Sequence, residues 1–197
     1  MKNNYEKYGY YVIDDFLPLN IVNELEKLYS TTDDWDVIDQ VRENHYTHVF
    51  KTNSDVLPRE DESYLAKFKR STHLEKSVDE IFDTFFKPKM NEITNCNLSN
   101  FDTRCYKLDS GDFYRTHIDD YAGDVGCVYY LNKNWCWDWG GILHIGDDKD
   151  EDSLVSIFPK FNRLVVHDMR KFRFPHFISP VTDYAKNSRY TIVSFNK

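Results

Sequence analysis

The sequence predicts an α+β protein in which a helical N-terminal part braces a C-terminal antiparallel sandwich or barrel. Three observations carry that reading. Apolar residues recur at helical spacing twice before residue 100. Six of the seven glycines fall between positions 111 and 146. Beyond residue 100, short runs rich in Val, Ile, Tyr and Phe alternate with turn residues.

Taken in chain order, a short strand is expected from Tyr10 to Ile13. The first helix follows, because Ile21, Leu25, Leu28 and Tyr29 stand at i, i+4, i+7 and i+8. Residues 31 to 72 read as polar and irregular, and that is too long for an idle connection. A second helix is expected through Leu74, Val78, Ile81, Phe82 and Phe85. Eight strands then follow: RCYKL, FYRTHID, CVYYLN, GGILHI, LVSIF, RLVVH, HFISPV and RYTIVSF. The acidic run 147–153, DDKDEDS, reads as a solvated hairpin loop.

The chain has 197 residues and no Gly/Ser/Pro-rich linker, so residues 1–197 are expected to form a single domain. Within it, 1–100 would supply helical support and a substrate-side segment, and 101–197 the β core. With 14 Tyr, 14 Phe and 4 Trp, the core has ample material. The 33 acidic against 25 basic residues give a net charge of −8, which repels phosphate backbones and argues against a nucleic-acid partner. Cys96, Cys105, Cys127 and Cys136 form no CxxC pair, as expected of reduced thiols. The opening residues contain no apolar signal core, and no stretch approaches membrane-spanning length. A soluble, cytoplasmic protein is therefore expected.

The chemistry concentrates in GDFYRTHIDDYAGD, residues 111–124. In an extended strand His117 and Asp119 share a face and Ile118 points away. A third group must arrive from elsewhere to complete a metal site, and His176 in RFPHFISP is the candidate. Two histidines and one carboxylate on one face of an octahedral ion leave three positions open, as in non-haem Fe(II) oxygenases. On its own, HxD is better explained by a solvated turn. Arg189 shares a face with Thr191, Val193 and Phe195. Pointing inward, it would need a buried partner such as a dicarboxylate; pointing outward, it would pair with Asp or Glu.

The segment from about residue 104 to the C-terminus resembles the 2-oxoglutarate/Fe(II) prolyl hydroxylases, in particular the hypoxia-sensing branch and its microbial relatives. CYKLDSGDFYRTHID, VYYLNKNW, WGGILHI, FPKFNRLVVH, PHFISPV and RYTIVSF carry the likeness in order, and YYVIDDFLPLNIVNELEKL resembles the family's opening strand and helix. The resemblance implies a double-stranded β-helix (jelly-roll) core with N-terminal supporting helices. It implies His117, Asp119 and His176 as Fe(II) ligands, and Arg189 and Tyr130 on the distal carboxylate of 2-oxoglutarate. Tyr106 would lie near the metal, Leu143 would pack on the co-substrate, and Thr191 fits a small hydroxyl position. Gly140 and Gly141 would permit the bend before Leu143. The 13 positions from His176 to Arg189 slightly exceed the spacing in animal relatives, with DYAKN absorbing the excess.

The implied reaction is O2- and 2-oxoglutarate-dependent hydroxylation of a prolyl residue in a protein or peptide, releasing succinate and CO2, with ascorbate as a candidate reductant. The same chemistry on a free amino acid or another non-prolyl substrate is the alternative. A catalytically silent binding module would have lost a ligand or the arginine. Among the other histidines, His45 and His48 read as solvated loop residues and His73 as lying near a helix start. His144 should face away from the cavity, and His167 reads as a packed strand residue. Asp120 reads as a turn residue. Extended, Trp135, Trp137 and Trp139 would share a face, either packed on the sandwich edge or offered to a proline ring.

Overall fold

In chain order the strands are β1 (Lys2–Asn3), β2 (Tyr10–Ile13), β3 (Asp36–Val41), β4 (Tyr64–Arg70), β5 (Phe101–Leu108), β6 (Phe113–His117), β7 (Val125–Tyr130), β8 (Leu143–Asp147), β9 (Asp150–Ile157), β10 (Arg163–Asp168), β11 (His176–Ile178) and β12 (Arg189–Asn196). This is a computed structural model, and it describes residues 2–3, 9–41, 64–119, 123–147, 150–170 and 174–196. Each of the eight C-terminal apolar runs contains a strand, and all strands pair antiparallel.

The strands join into one curled sheet in the order β1-β2-β10-β7-β12-β5-β4-β6-β11-β8-β9, with β3 on β4. This is the expected jelly-roll arrangement. β4 makes the turn between the two walls, because it pairs with β5 through Lys69 and Arg70 and with β6 through Ala66 and Lys67. The wall β2-β10-β7-β12-β5 is two-sided. On its outer face Leu164, Val166, Cys127, Tyr129, Ile192 and Cys105 pack against the helices. Its inner face is shared by the alternate residues, and this alternation places the site.

Helix α1 (Leu19–Thr31) buries Val22, Leu25 and Tyr29. Leu28, expected in that stripe, is exposed, and Ile21 is only partly buried. The second helix runs as α2 (Thr72–Ile81), a π-helical turn over Phe82–Phe86, and α3 (Lys87–Thr94). Its start is capped, since Ser71 accepts a hydrogen bond from the Leu74 N–H at 3.2 Å. Pro88 explains the irregular turn: it has no N–H to donate, and the Lys87 N–H bonds Phe82 O instead. Leu74, Val78, Phe82 and Phe86 are fully buried, while Ile81 and Phe85 are partly buried and pack against the same core.

Three other expectations are corrected. Residues 31–72 are not irregular throughout, because β3 and β4 pair from Asp36↔Arg70 to Val41↔Tyr64. β3 carries Val37, Ile38 and Val41, and β4 alternates Tyr64, Ala66 and Phe68, signals that the many charges around them obscured. Asp150 to Ser153, assigned to a loop, begin β9. The three tryptophans are not extended: a 3-10 turn at Trp137–Trp139 buries Trp135 and Trp139 and leaves Trp137 exposed against Phe158. His45, His48 and Asp120 lie outside the described residues. Among the described residues no helix is long and apolar enough to cross a membrane.

Candidate metal and co-substrate site

His117 and His176 face each other across β6 and β11 as register partners, with ring centroids 4.3 Å apart. The chain leaves the strand just after His117 and brings Asp119 back towards both rings. Asp119 Oδ1 stands 3.5 Å from His117 Nε2, and Oδ2 stands 3.3 Å from His176 Nε2. One ligand atom from each residue lies within 4.8 Å of the others. The Nδ1 of each ring meets a backbone carbonyl, Arg115 O at 2.7 Å and Phe174 O at 3.2 Å. An Nδ1–H donated there leaves the Nε2 lone pairs directed at one point. Two imidazoles and one carboxylate on one side of that point suit a divalent transition metal and leave its other positions open.

The electrostatics keep the carboxylate of this set ionised. Burial works against an ionised Asp119, yet the His176 and His117 rings pull its carboxyl well below the usual carboxylate range. Burial opposes a charged His176, but the Asp119 carboxylate raises its pKa overall.

The three groups open onto a cavity of about 280 Å³ between the two walls. Arg189 enters it from the start of β12 and is buried to 1 % exposure. Its Nε–H donates to Gly141 O at 2.7 Å, while Nη2 has no hydrogen-bond partner. Thr191 Oγ1 and Tyr130 OH, both buried, are also unsatisfied. The Arg189 guanidinium lies over the Tyr130 ring at 5.1 Å. The guanidinium carbon passes over the ring face, a geometry in which charge and π-face attract although the hydroxyl gains no well-directed hydrogen bond. Burial lowers the Arg189 pKa and raises that of Tyr130. A buried cation with a spare donor and two idle hydroxyls beside it is costly unless an anion completes it.

Tyr106, Leu143 and Thr191 line the cavity as expected. Thr191 pairs in register with both Tyr106 and Tyr130, so the three form one row across the wall. His73 lies in the first turn of α2, and His144 points away, stacked on Phe177 at 4.6 Å. His167 is a correction: it lines the cavity, 6.2 Å from the His176 ring. Ile118 also lines it, since strand alternation ends at His117. Tyr114, Arg104 and Asp102 are wall residues that sequence reasoning missed. Simple alternation puts Tyr114 opposite His117, but the β6–β11 register shifts between His176 and Ile178 and turns both inward.

Gly141 has a role beyond flexibility. Its φ is +63°, and an added Cβ would stand 2.8 Å from Arg189 Cδ. Gly141→Ala is therefore expected to displace the arginine: 2-oxoglutarate affinity should fall at least tenfold, against a stability loss of only about 1–2 kcal/mol. Isothermal titration together with thermal melting checks both.

Residues 101–197 match the model of the 2OG-Fe(II) oxygenase superfamily. Human Egl nine homolog 1 is 28% identical over 206 residues, covering 96% of this chain and 44% of that protein. Human prolyl hydroxylase EGLN3 is 34% identical over 96 residues, covering 47% of this chain and 38% of that protein. The chain thus spans about half or less of the length of these human relatives. Among solved structures, a Pseudomonas putida prolyl-4-hydroxylase superposes with a TM-score of 0.63 at 17% identity, covering 98% of this chain and 95% of that one. A Trichoplax adhaerens prolyl hydroxylase, in complex with a hypoxia inducible factor peptide fragment, gives 0.64 at 21% identity, covering 98% and 84%. At these identities the structures establish the fold.

Proposed function

On the premise that residues 101–197 belong to the 2OG-Fe(II) oxygenase superfamily and that the chain is prolyl hydroxylase-like, we propose that it hydroxylates a prolyl residue in a protein or peptide. The superfamily implies Fe(II), 2-oxoglutarate and O2, and the residues present fit the metal and the dicarboxylate. The observation that carries the reading is the pairing of two incomplete sites in one cavity. One is a trio of ligands within 4.8 Å, and the other is a buried arginine with an unpartnered Nη2 beside two idle hydroxyls.

In this reading His117, Asp119 and His176 hold Fe(II). Arg189 and Tyr130 take the distal carboxylate of 2-oxoglutarate, with the Thr191 hydroxyl beside them. Guanidinium and carboxylate match in a two-pronged geometry. Leu143 and Leu108 keep water from the bound carbon chain, and Tyr106 stands nearer the metal. Burial raises the pKa of Tyr106 and Tyr114, so both remain neutral donors. When bound, the metal and co-substrate together supply an oxidant able to hydroxylate an unactivated C–H bond, with 2-oxoglutarate becoming succinate and CO2. The protein's own work is to orient the reactants and to keep the cavity dry.

The cavity lies at the small end of ligand sites, which run about 300–1,000 Å³, so it suits the co-substrate and leaves a peptide at its mouth. The net charge of −8 supports a partner other than nucleic acid. The four unpaired cysteines support a cytoplasmic location. Succinate formation is measured with proline peptides, matched Pro→Ala peptides and free amino acids, each product being weighed for one added oxygen. Stimulation confined to the proline peptides is expected. Equal stimulation by the alanine peptides, or by a free amino acid alone, would replace the prolyl reading with a non-prolyl one.

A further inference from the structure

The cavity wall contains a second arginine for which iron and 2-oxoglutarate have no use. Arg104 lies on the inner face of β5 opposite Val193. The same strand pairs Leu108 with Arg189, four residues away. At about 3.4 Å per residue that separation is roughly 14 Å, well beyond the reach of one small dicarboxylate. Arg104 therefore belongs to the other end of the cavity. The row beyond it, Asp102, Phe195, Gly126 and His167, is joined in register and ends beside the His176 ring.

Its bonds define what it still lacks. Nη2 donates to Asp102 Oδ2 at 2.7 Å and Nη1 donates to Tyr106 OH at 3.3 Å. The Nε–H is buried and has no partner. Asp102 already balances the charge, so a second carboxylate would gain little attraction. A neutral oxygen acceptor fits better. Beside it Tyr106 and Tyr114 both pack on Phe68, at 4.6 and 5.1 Å, a wall suited to an apolar ring. We propose that Arg104 is a substrate-reading residue, whose Nε–H donates to a backbone carbonyl flanking the hydroxylated position of an extended peptide.

This rests on the prolyl reading, and the test separates the two. A proline peptide that stimulates wild-type turnover is labelled, and its binding is followed by fluorescence anisotropy without O2, with Mn(II) and 2-oxoglutarate present. Arg104→Gln should weaken the peptide about 10- to 100-fold, the range for a hydrogen bond to a charged group. The Kd for 2-oxoglutarate should not change. Arg104→Lys keeps the charge beside Asp102 but lacks the Nε–H, and should bind the peptide as weakly as Gln. Peptides with single amide-to-ester replacements around the proline supply the readout that a misfolded variant cannot imitate. One ester should weaken binding to wild type and have no further effect on Arg104→Gln. Unchanged peptide binding in Arg104→Gln, full rescue by lysine, or ester effects equal in both proteins would overturn the proposal while the prolyl reading stands. If no proline peptide stimulates wild type, both fall.

Discussion

Asp119→Ala is expected to reduce Fe(II) affinity by at least about 100-fold and to abolish turnover, without loosening the fold. Changing groups that merely orient metal ligands costs roughly 10–100-fold, and removing a ligand outright should exceed that. Asp119 is partly buried at the cavity mouth and lies outside the apolar clusters that hold the helices to the sheet. It also links the rings, since both Nε2 atoms approach its two oxygens. Without the carboxylate, two imidazoles alone remain of the three ligands. Equilibrium dialysis of Fe(II) with thermal melting of the metal-free protein checks this. His117→Ala and His176→Ala should behave alike. Wild-type metal affinity in the Asp119 variant would remove the residue from the site.

Arg189 has the second large effect, with opposite signs in the two states of the protein. Breaking a buried charge pair by removing one partner costs about 3–5 kcal/mol, which is roughly two to four decades in affinity. Arg189→Ala should raise the 2-oxoglutarate requirement on that scale, and Arg189→Lys should recover part of it as a single charge without the fork. In the ligand-free protein the arginine is instead a liability, being buried with Nη2 unsatisfied. Arg189→Met removes the charge at similar volume. It should leave the ligand-free protein as stable as wild type or more stable by about 1–4 kcal/mol, while losing co-substrate binding. Chemical denaturation with and without 2-oxoglutarate separates these effects. A ligand-free Arg189→Met much less stable than wild type would mean that the arginine supports the fold rather than the ligand.

Much of this was legible in the chain because it depends on alternation. The inner face of β12, with Arg189, Thr191, Val193 and Phe195, follows from the two-residue period, as does the orientation of His144. The eight strands of the core were visible for the same reason. What alternation could not reach were the departures from it. Tyr114 enters the cavity through a register shift between paired strands, which no single strand's sequence reveals. Ile118 turns inward because regular structure stops one residue earlier. Phe86 joined the buried stripe of the second helix because a π-helical turn ahead of Pro88 adds a residue there. Arg104 and Asp102 were passed over because an arginine and an aspartate on a strand suggest a solvated face. Only the pairing of β5 with β12 puts them inside. Which way Arg189 pointed was likewise open until the helices were seen to cover Ile192 and so claim the opposite face.

The central claim is that one cavity binds a metal through His117, Asp119 and His176 and an anion through Arg189. Equilibrium dialysis of radiolabelled 2-oxoglutarate, without O2 and with Fe(II) present or absent, tests it most directly. The account predicts about one equivalent bound per chain with Fe(II), far weaker binding without it or in Asp119→Ala, and none detectable in Arg189→Ala under the same conditions. Binding that is indifferent to the metal and to both substitutions would contradict it.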